Sequence, residues 1–209
     1  MNDKQRYISV WIGFLTTFAT AWFGLVILPI FNLGQFTDEV QHAKIPKEKA
    51  TLIDLGRDSY VSNGCIYCHS QQVRPSYAGS DMKYFWGDRR TMPTDYINDK
   101  VALLGTMRTG PDLSNIGVRQ PSIDWHLTHL YNPQITSQGS VMPPYDFLFR
   151  KQKIVGVSSP NALKLSGEYS PPEGYEVVPK REALALVQYL LSLQKSKNPL
   201  PDPQSNGPS

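Results

Sequence analysis

Only two cysteines occur in the 209 residues, too few for the disulfide framework of a small secreted scaffold. A surplus of either charge is also missing. Lys and Arg number 21 against 18 Asp and Glu, a net +3, so the basic excess of a nucleic-acid-binding domain is absent and no nucleic-acid partner is expected. Gly and Pro, at 15 and 17 residues, fall well short of the roughly 25–30 per cent of low-complexity chains, so most of the sequence folds, with many turns. No internal repeat is visible, and 23.5 kDa excludes a large multidomain enzyme. The mean hydropathy of −0.34 is that of a soluble protein, but it averages two unlike parts.

Charge is missing altogether between Tyr7 and Thr37. Tyr7 to Leu33 alone is 27 residues, which as a helix spans about 40 Å at roughly 1.5 Å per residue, enough to cross a bilayer with some tilt. A cleaved leader has an apolar core of only about 7–15 residues that ends in small side chains. Here bulky Leu28-Pro29-Ile30-Phe31 stands where a cleavage site would belong, so residues 1–33 are expected to be an uncleaved single-pass anchor. Tyr7, Trp11 and Phe31 suit interfacial belts, and Pro29 predicts a kink in the last turn. Lys4 and Arg6 precede the span and Asp38 and Glu39 follow it, which predicts a cytoplasmic N-terminus. Residues 38–209 then face outward, into the periplasm of a bacterium with the span in its inner membrane. Ser9, Gly13, Thr16, Thr20 and Gly24 share one helical face, opposite Trp11, Leu15, Phe18, Trp22 and Leu25. The small face is read as packed on protein and the bulky one as facing lipid, against the plainer reading that membrane helices are simply rich in Gly and Thr.

Beyond the anchor, residues 34–48 read as a polar linker, 49–194 as one domain, and 195–209, with four prolines, as a disordered tail. Three helices are expected in the domain. The first runs from Lys49 to Ser62 and stops at Asn63-Gly64. The second runs from Ser122, which can cap it, to Tyr131 and stops at Asn132-Pro133. The third, Lys180 to Leu193, repeats Leu184, Val187, Leu190 and Leu191 at helical spacing. The stretches 71–110 and 151–179 show no sustained alternation for a sheet, so the expected class is all-α with long loops, which usually need something to fold around.

Both cysteines lie in Cys65-Ile66-Tyr67-Cys68-His69, the Cys-x-x-Cys-His pattern of covalent c-type haem attachment. Two thiols three positions apart on a helical turn can both reach the haem vinyl groups, and the adjacent imidazole then sits under the iron. A thioredoxin-like pair would want a βαβ context and leaves the histidine unexplained. A zinc site would need His126 and His129, whose spacing from Cys68 and from each other fits no finger. A disulfide within the motif closes too small a loop to stabilise much. One covalent haem c is therefore the expected cofactor. For the second axial ligand, Met82, Met92, Met107 and Met142 compete with His126 and His129. Met142 is favoured because Pro143 and Pro144 stiffen an extended backbone that can hold a thioether against iron. His/Met ligation raises the haem potential, which suits electron transfer. In the turn Thr109-Gly110-Pro111-Asp112-Leu113, a carbonyl near Pro111 could accept the His69 Nδ1 hydrogen, although an ordinary Gly-Pro turn would read the same. Arg108, Arg74 and Arg119 are candidates to neutralise the haem propionates.

Four segments in this order, Gly64 to Pro75, Arg108 to Leu113, Asp124 to Pro133 and Val141 to Tyr145, resemble the monohaem cytochrome c subunit, subunit II, of cbb3-type cytochrome c oxidases. The resemblance is specific over 57–149 and looser across the anchor and the final helix, and segment 76–107 departs from the more familiar members. It implies a class I cytochrome c-like haem domain, haem on Cys65 and Cys68, and iron ligated by His69 and Met142. It also implies a haem-copper oxygen-reducing subunit as partner, with other cytochrome c subunits beside it. Calcium near the subunit interface is bound in the family by a Ser before the Arg-Thr-Gly-Pro turn; Thr106 occupies that position here. The implied role is an electron-transfer subunit that performs no bond chemistry and takes no small-molecule substrate. The small cytochrome c subunit of a nitric oxide reductase and a free-standing tethered electron shuttle remain alternatives.

Overall fold

In the computed structural model, which describes residues 2–37 and 47–195, the uncharged N-terminal stretch is helical along its length. Helix α1, Asp3–Trp22, starts at a reciprocal cap: Gln5 N–H donates to Asn2 Oδ1 at 3.1 Å and Asn2 N–H to Gln5 Oε1 at 3.2 Å. A widened π turn, Phe23–Ile27, leads into α2, Leu28–Thr37. The π turn lies directly before Pro29, which has no N–H to give and whose ring crowds the carbonyl one turn back. The expected kink therefore takes the form of a locally widened helix. Asp3–Asn32 is long and apolar enough to cross a membrane, and it is the one such helix among the described residues. None of α1 is buried. The hydroxyls of Ser9, Thr16, Thr17 and Thr20 each donate to a carbonyl one turn earlier, so they enter an apolar medium already satisfied.

The expected linker and tail lie for the most part outside the described residues. Where they are described, 34–37 continue α2 and 47–48 begin α3, Lys47–Ser62. Helix α3 crosses the last helix, α7, Arg181–Ser192. The crossing is close because residue 56 is glycine: a Cβ there would fall 2.5 Å from the Ala185 carbonyl carbon. Helix α7 carries Glu182 in its first turn, where it complements the helix dipole, and buries Ala183, Leu186, Val187, Tyr189 and Leu190. Three shorter helices complete the α-structure. They are α4, Ile116–Arg119; α5, Ile123–Tyr131, whose Trp125 N–H donates to Ser122 Oγ at 3.2 Å; and α6, Pro133–Thr136, capped by Asn132. Gly117 repeats the device of Gly56, since a Cβ there would lie 2.7 Å from the Leu191 carbonyl carbon.

The all-α expectation is corrected by a two-stranded antiparallel hairpin, β1, Phe149–Lys153, on β2, Tyr175–Pro179, in register from Phe149 opposite Pro179 to Lys153 opposite Tyr175. Its β1 reads Phe-Arg-Lys-Gln-Lys, with only Phe149 buried, so the alternation that betrays a strand is nearly absent. The connection folds back onto β2. Glu176 accepts from Gln152 Nε2 at 2.7 Å, Ser158 Oγ at 2.6 Å and Ser159 N–H at 2.7 Å, and Leu163 N–H donates to the Val177 carbonyl at 2.8 Å.

The loop 71–110 has no strand and no α-helix, and buried carboxylates organise it instead. Asp95 takes a bidentate pair from Arg89 at 2.8 Å and 2.8 Å. Lys195 donates to Asp99 at 2.8 Å and to the Asp95 carbonyl at 3.0 Å, so the first residue of the expected tail is tied to this loop. Leu113, Ile116, Leu127, Leu130, Leu186 and Leu190 form one apolar cluster, each such side chain contributing about 1.5–3 kcal/mol on burial. All of these but Leu127 form the wall of the site.

Candidate haem site

Helix α3 ends where Gly64 takes φ +74, a left-handed turn that glycine adopts without penalty. One 3-10 turn, Cys65–Tyr67, follows, and His69 N–H donates to the Cys65 carbonyl at 2.9 Å, which brings the motif into a single compact turn. Cys65 is buried and Cys68 exposed, and they form no disulfide. Burial pushes the Cys65 thiol up to about 11, so at neutral pH it is an uncharged wall group.

The His69 ring is held from two sides. Its Nδ1 lies 2.8 Å from the Pro111 carbonyl, and since a carbonyl only accepts, Nδ1 carries the proton and Nε2 keeps its lone pair. Gly110 leaves room for the ring: a Cβ on residue 110 would lie 2.7 Å from Nδ1. Burial pushes the His69 pKa below its ordinary value against the smaller opposing pull of the Pro111 carbonyl, so the ring is neutral and fit to ligate. The backbone behind it is laced to the 110–113 turn, with Gly110 N–H on the Cys68 carbonyl at 2.9 Å and Leu113 N–H on the Ser70 carbonyl at 2.8 Å. Asp112, fully buried, reinforces the lacing. Its carboxylate accepts from Ser70 Oγ at 2.6 Å, Gln72 N–H at 2.7 Å and Ser114 N–H at 2.8 Å.

These residues face a cavity of about 460 Å³, within the roughly 300–1,000 Å³ range of cofactor sites. Cys65, Cys68, His69, Pro111 and Met142 all line it. Among the described residues no Asp, Glu, Lys or Arg does. Met142 is half-buried, its N–H donates to Ser140 Oγ at 3.2 Å, and Tyr145 N–H pins the same loop to the Leu130 carbonyl at 2.8 Å. Met82, Met92 and Met107 do not reach the cavity. His126 and His129 do, but each already uses a ring nitrogen. His126 Nε2 lies 2.8 Å from the Gln120 carbonyl and His129 Nδ1 lies 2.5 Å from Thr136 Oγ1. His129 also stacks on Trp125 at 4.7 Å, and burial pushes its pKa down to about 4.

Arg108 and Arg74 are not at the cavity. Both converge on the buried carboxylate of Asp81, Arg74 Nη2 at 2.8 Å and Arg108 Nη1 at 2.5 Å, and Arg108 also lies over the Trp86 ring. Arg108, expected as a propionate partner, is thus paired in the loop interior and does not line the cavity. Arg119 is different. Its Nη2 donates to the Asp112 carbonyl, its Nε is buried without a partner, and among the described residues no carboxylate pairs with it. Thr106 is exposed, and among the described residues no group of three His, Cys, Asp or Glu side chains assembles for a metal ion. Sequence reasoning missed Asp112 and Asp81, whose partners lie far along the chain, and Tyr60 and Tyr145, which line the cavity beside Cys65. No local pattern marks any of the four.

The residues fit a c-type haem by their chemistry. The donor set that lines the cavity is two thiols, a neutral imidazole and a thioether. Gly110 leaves the room that the imidazole occupies. No curated protein matches the chain. The family described as "Cytochrome C oxidase, mono-heme subunit/FixO" matches residues 4–166, well over half of the sequence. This match along most of its length shows that the chain belongs to the mono-haem subunits of cytochrome c oxidase.

Proposed function

We propose that the chain is the membrane-anchored monohaem c-type cytochrome of a cbb3-type oxidase, relaying electrons towards the oxygen-reducing haem-copper subunit. One observation carries this reading: Cys65, Cys68, His69 and Met142, distant in sequence by up to 77 positions, line one cavity in a chain of this family. In this reading Cys65 and Cys68 would hold haem c as thioethers, and His69 Nε2 and Met142 Sδ would bind its iron. The haem, when bound, supplies a one-electron ferric/ferrous couple.

The protein's part is to position and insulate. Pro111 fixes the tautomer and plane of His69 through Nδ1 and makes the ring a better donor. The Leu113, Ile116, Leu130, Leu186 and Leu190 wall keeps water from the ligand pair. Arg119, which donates to the Asp112 carbonyl in the turn that holds His69, keeps a cation without a paired carboxylate among the described residues behind that turn. With His69 and Met142 both given to the iron, this chain would serve the enzyme as an electron-transfer subunit, and the oxygen chemistry would belong to another chain. The domain is class I cytochrome c-like. The basic Lys4 and Arg6 put the N-terminus in the cytoplasm and the haem domain in the periplasm, with α1 and α2 as a single-pass anchor in the inner membrane. Other cytochrome c subunits complete the relay. Interfacial calcium, if the complex holds it, takes at most the Thr106 oxygen from this chain and its remaining ligands from carbonyls or a partner.

The test is purification of the full chain from its native membranes in mild detergent, with mass spectrometry and reduced-minus-oxidised spectra. The expected result is a covalent haem on the Cys65–Cys68 peptide and a co-purifying haem-copper chain that consumes oxygen. A partner that reduces nitric oxide and not oxygen, or a chain that arrives alone with its haem, would overturn the oxidase assignment.

A further inference from the structure

Among the described residues, Asp112 is the carboxylate built into the support of His69. It has no exposed surface, and none of the ion pairs among the described residues includes it. Its three donors are all neutral: the Ser70 hydroxyl and the N–H groups of Gln72 and Ser114. Two of them belong to residues one and three places after His69, and the carboxylate's chain neighbour, Pro111, is the residue whose carbonyl holds the His69 ring. The nearest cation, Arg119, contacts the Asp112 backbone oxygen and not its carboxylate. Its neutral donors screen a buried charge only partly, and charges act at longer range in a low-dielectric interior than in water.

We propose that the Asp112 carboxylate is a positioning residue for His69 and, as a fixed negative charge behind the ring, holds the reduction potential of the site down. The inference rests on the haem assignment above. The iron of a haem with two neutral axial ligands gains one positive charge on oxidation, and a buried negative charge nearby stabilises that oxidised form. The same carboxylate, by tying Ser70 and Gln72 to the 110–114 turn, keeps the Pro111 carbonyl on Nδ1. Charge and clamp are separable by substitution. Asp112→Asn keeps the size of the side chain and one acceptor oxygen for Ser70 and Gln72, but removes the charge and the acceptor for the Ser114 N–H. Ser70→Ala keeps the charge and removes one of the dipoles that screen it.

The two variants are compared with the wild-type full chain by potentiometric titration, with the far-red thioether-to-iron band and the alkaline pyridine haem spectrum recorded on the same samples. The expected result is a higher potential in Asp112→Asn and a lower one in Ser70→Ala, with covalent haem and the far-red band retained in both. Shifts in the same direction, or no shift in either, overturn the proposal and leave Asp112 a purely structural clamp. If Asp112→Asn fails to accumulate, Ser70→Ala decides alone: a lowered potential supports the inference, and an unchanged or raised one overturns it. A wild-type chain whose pyridine spectrum shows no covalent haem overturns the haem assignment itself, and the proposal with it.

Discussion

The α-carbon of Gly110 lies against the imidazole of His69, so that a Cβ on residue 110 would stand 2.7 Å from the ring's Nδ1. The same turn supplies the acceptor for that nitrogen one residue later, at the Pro111 carbonyl, 2.8 Å away. Steric fit and hydrogen bond thus define one ring plane. Gly110→Ala is expected to push the ring off that plane and to cost on the order of 1–3 kcal/mol, the range for overpacking a tight site. Thermal unfolding and the far-red band, measured on the same preparation, check this; an unchanged band would mean that the ring has another support.

Removing the other proposed ligand has a narrower effect. Met142 sits on a loop held by Ser140 and by the Tyr145 N–H bond to Leu130, so Met142→Ala is expected to leave the fold in place. The far-red thioether band disappears and the potential falls, because a thioether is among the ligands that raise it. Absorption and redox titration are the readouts, and a retained band would move the ligand elsewhere.

Arg119 carries a buried Nε with no partner and lacks a carboxylate of its own among the described residues. If a propionate supplies its anion, Arg119→Gln removes a cation that favours the reduced, less positive iron. The expected outcome is a lower potential with the far-red band intact. Redox titration of the full-length variant checks it, and an unmoved potential would separate Arg119 from the propionates.

Asp81 predicts an acid-sensitive limb. Burial alone would raise its pKa, but the hydrogen bonds from Arg74 and Arg108 outweigh it and hold the carboxyl at about 2, against an ordinary 3.8. A carboxyl whose folded pKa is below its unfolded value stabilises fully above the unfolded value and loses that contribution as pH falls through the folded one. The window is therefore about pH 4 to pH 2. Allowing for solvent screening beside the partly exposed Arg74, the contribution is on the order of 1–2 kcal/mol at neutral pH. Melting temperature against pH is expected to drop through this window in the wild type and to flatten in Asp81→Asn.

What the sequence makes readable, and what it hides, divides by distance along the chain. The helices α5 and α7 carry their own signals, a Ser122 cap and an apolar repeat, and they form within a residue or two of where those signals place them. The Cys65–His69 motif and the Met142-Pro143-Pro144 run are equally local. The Pro111 carbonyl is readable because Gly110-Pro111 is a turn with few conformations. The hairpin is not, because β1 and β2 are separated by 21 residues and β1 offers one buried apolar side chain; its pairing is decided by the Glu176 network on the far strand. The carboxylates at 81 and 112 are hidden for the same reason. Nothing around Asp112 announces Ser70, 42 positions earlier, and Arg108 reads as free until its partner 27 positions back is known. Charge in a sequence shows which side chains need a partner, not which partner they find.

Leu186 and Leu190 complete the wall of the cavity, and they lie on α7, the last helix of the described chain. On a polypeptide made from its N-terminus, Cys65, Cys68 and His69 emerge more than a hundred residues before that wall exists. The Cys65–His69 turn is thus presented on an unfinished chain, open on the side that α7 will later cover. Gly56, which lets α7 settle on α3, acts only at that later stage. Such an order of assembly leaves the two thiols accessible first and makes docking of α7 the step that closes the cavity over them.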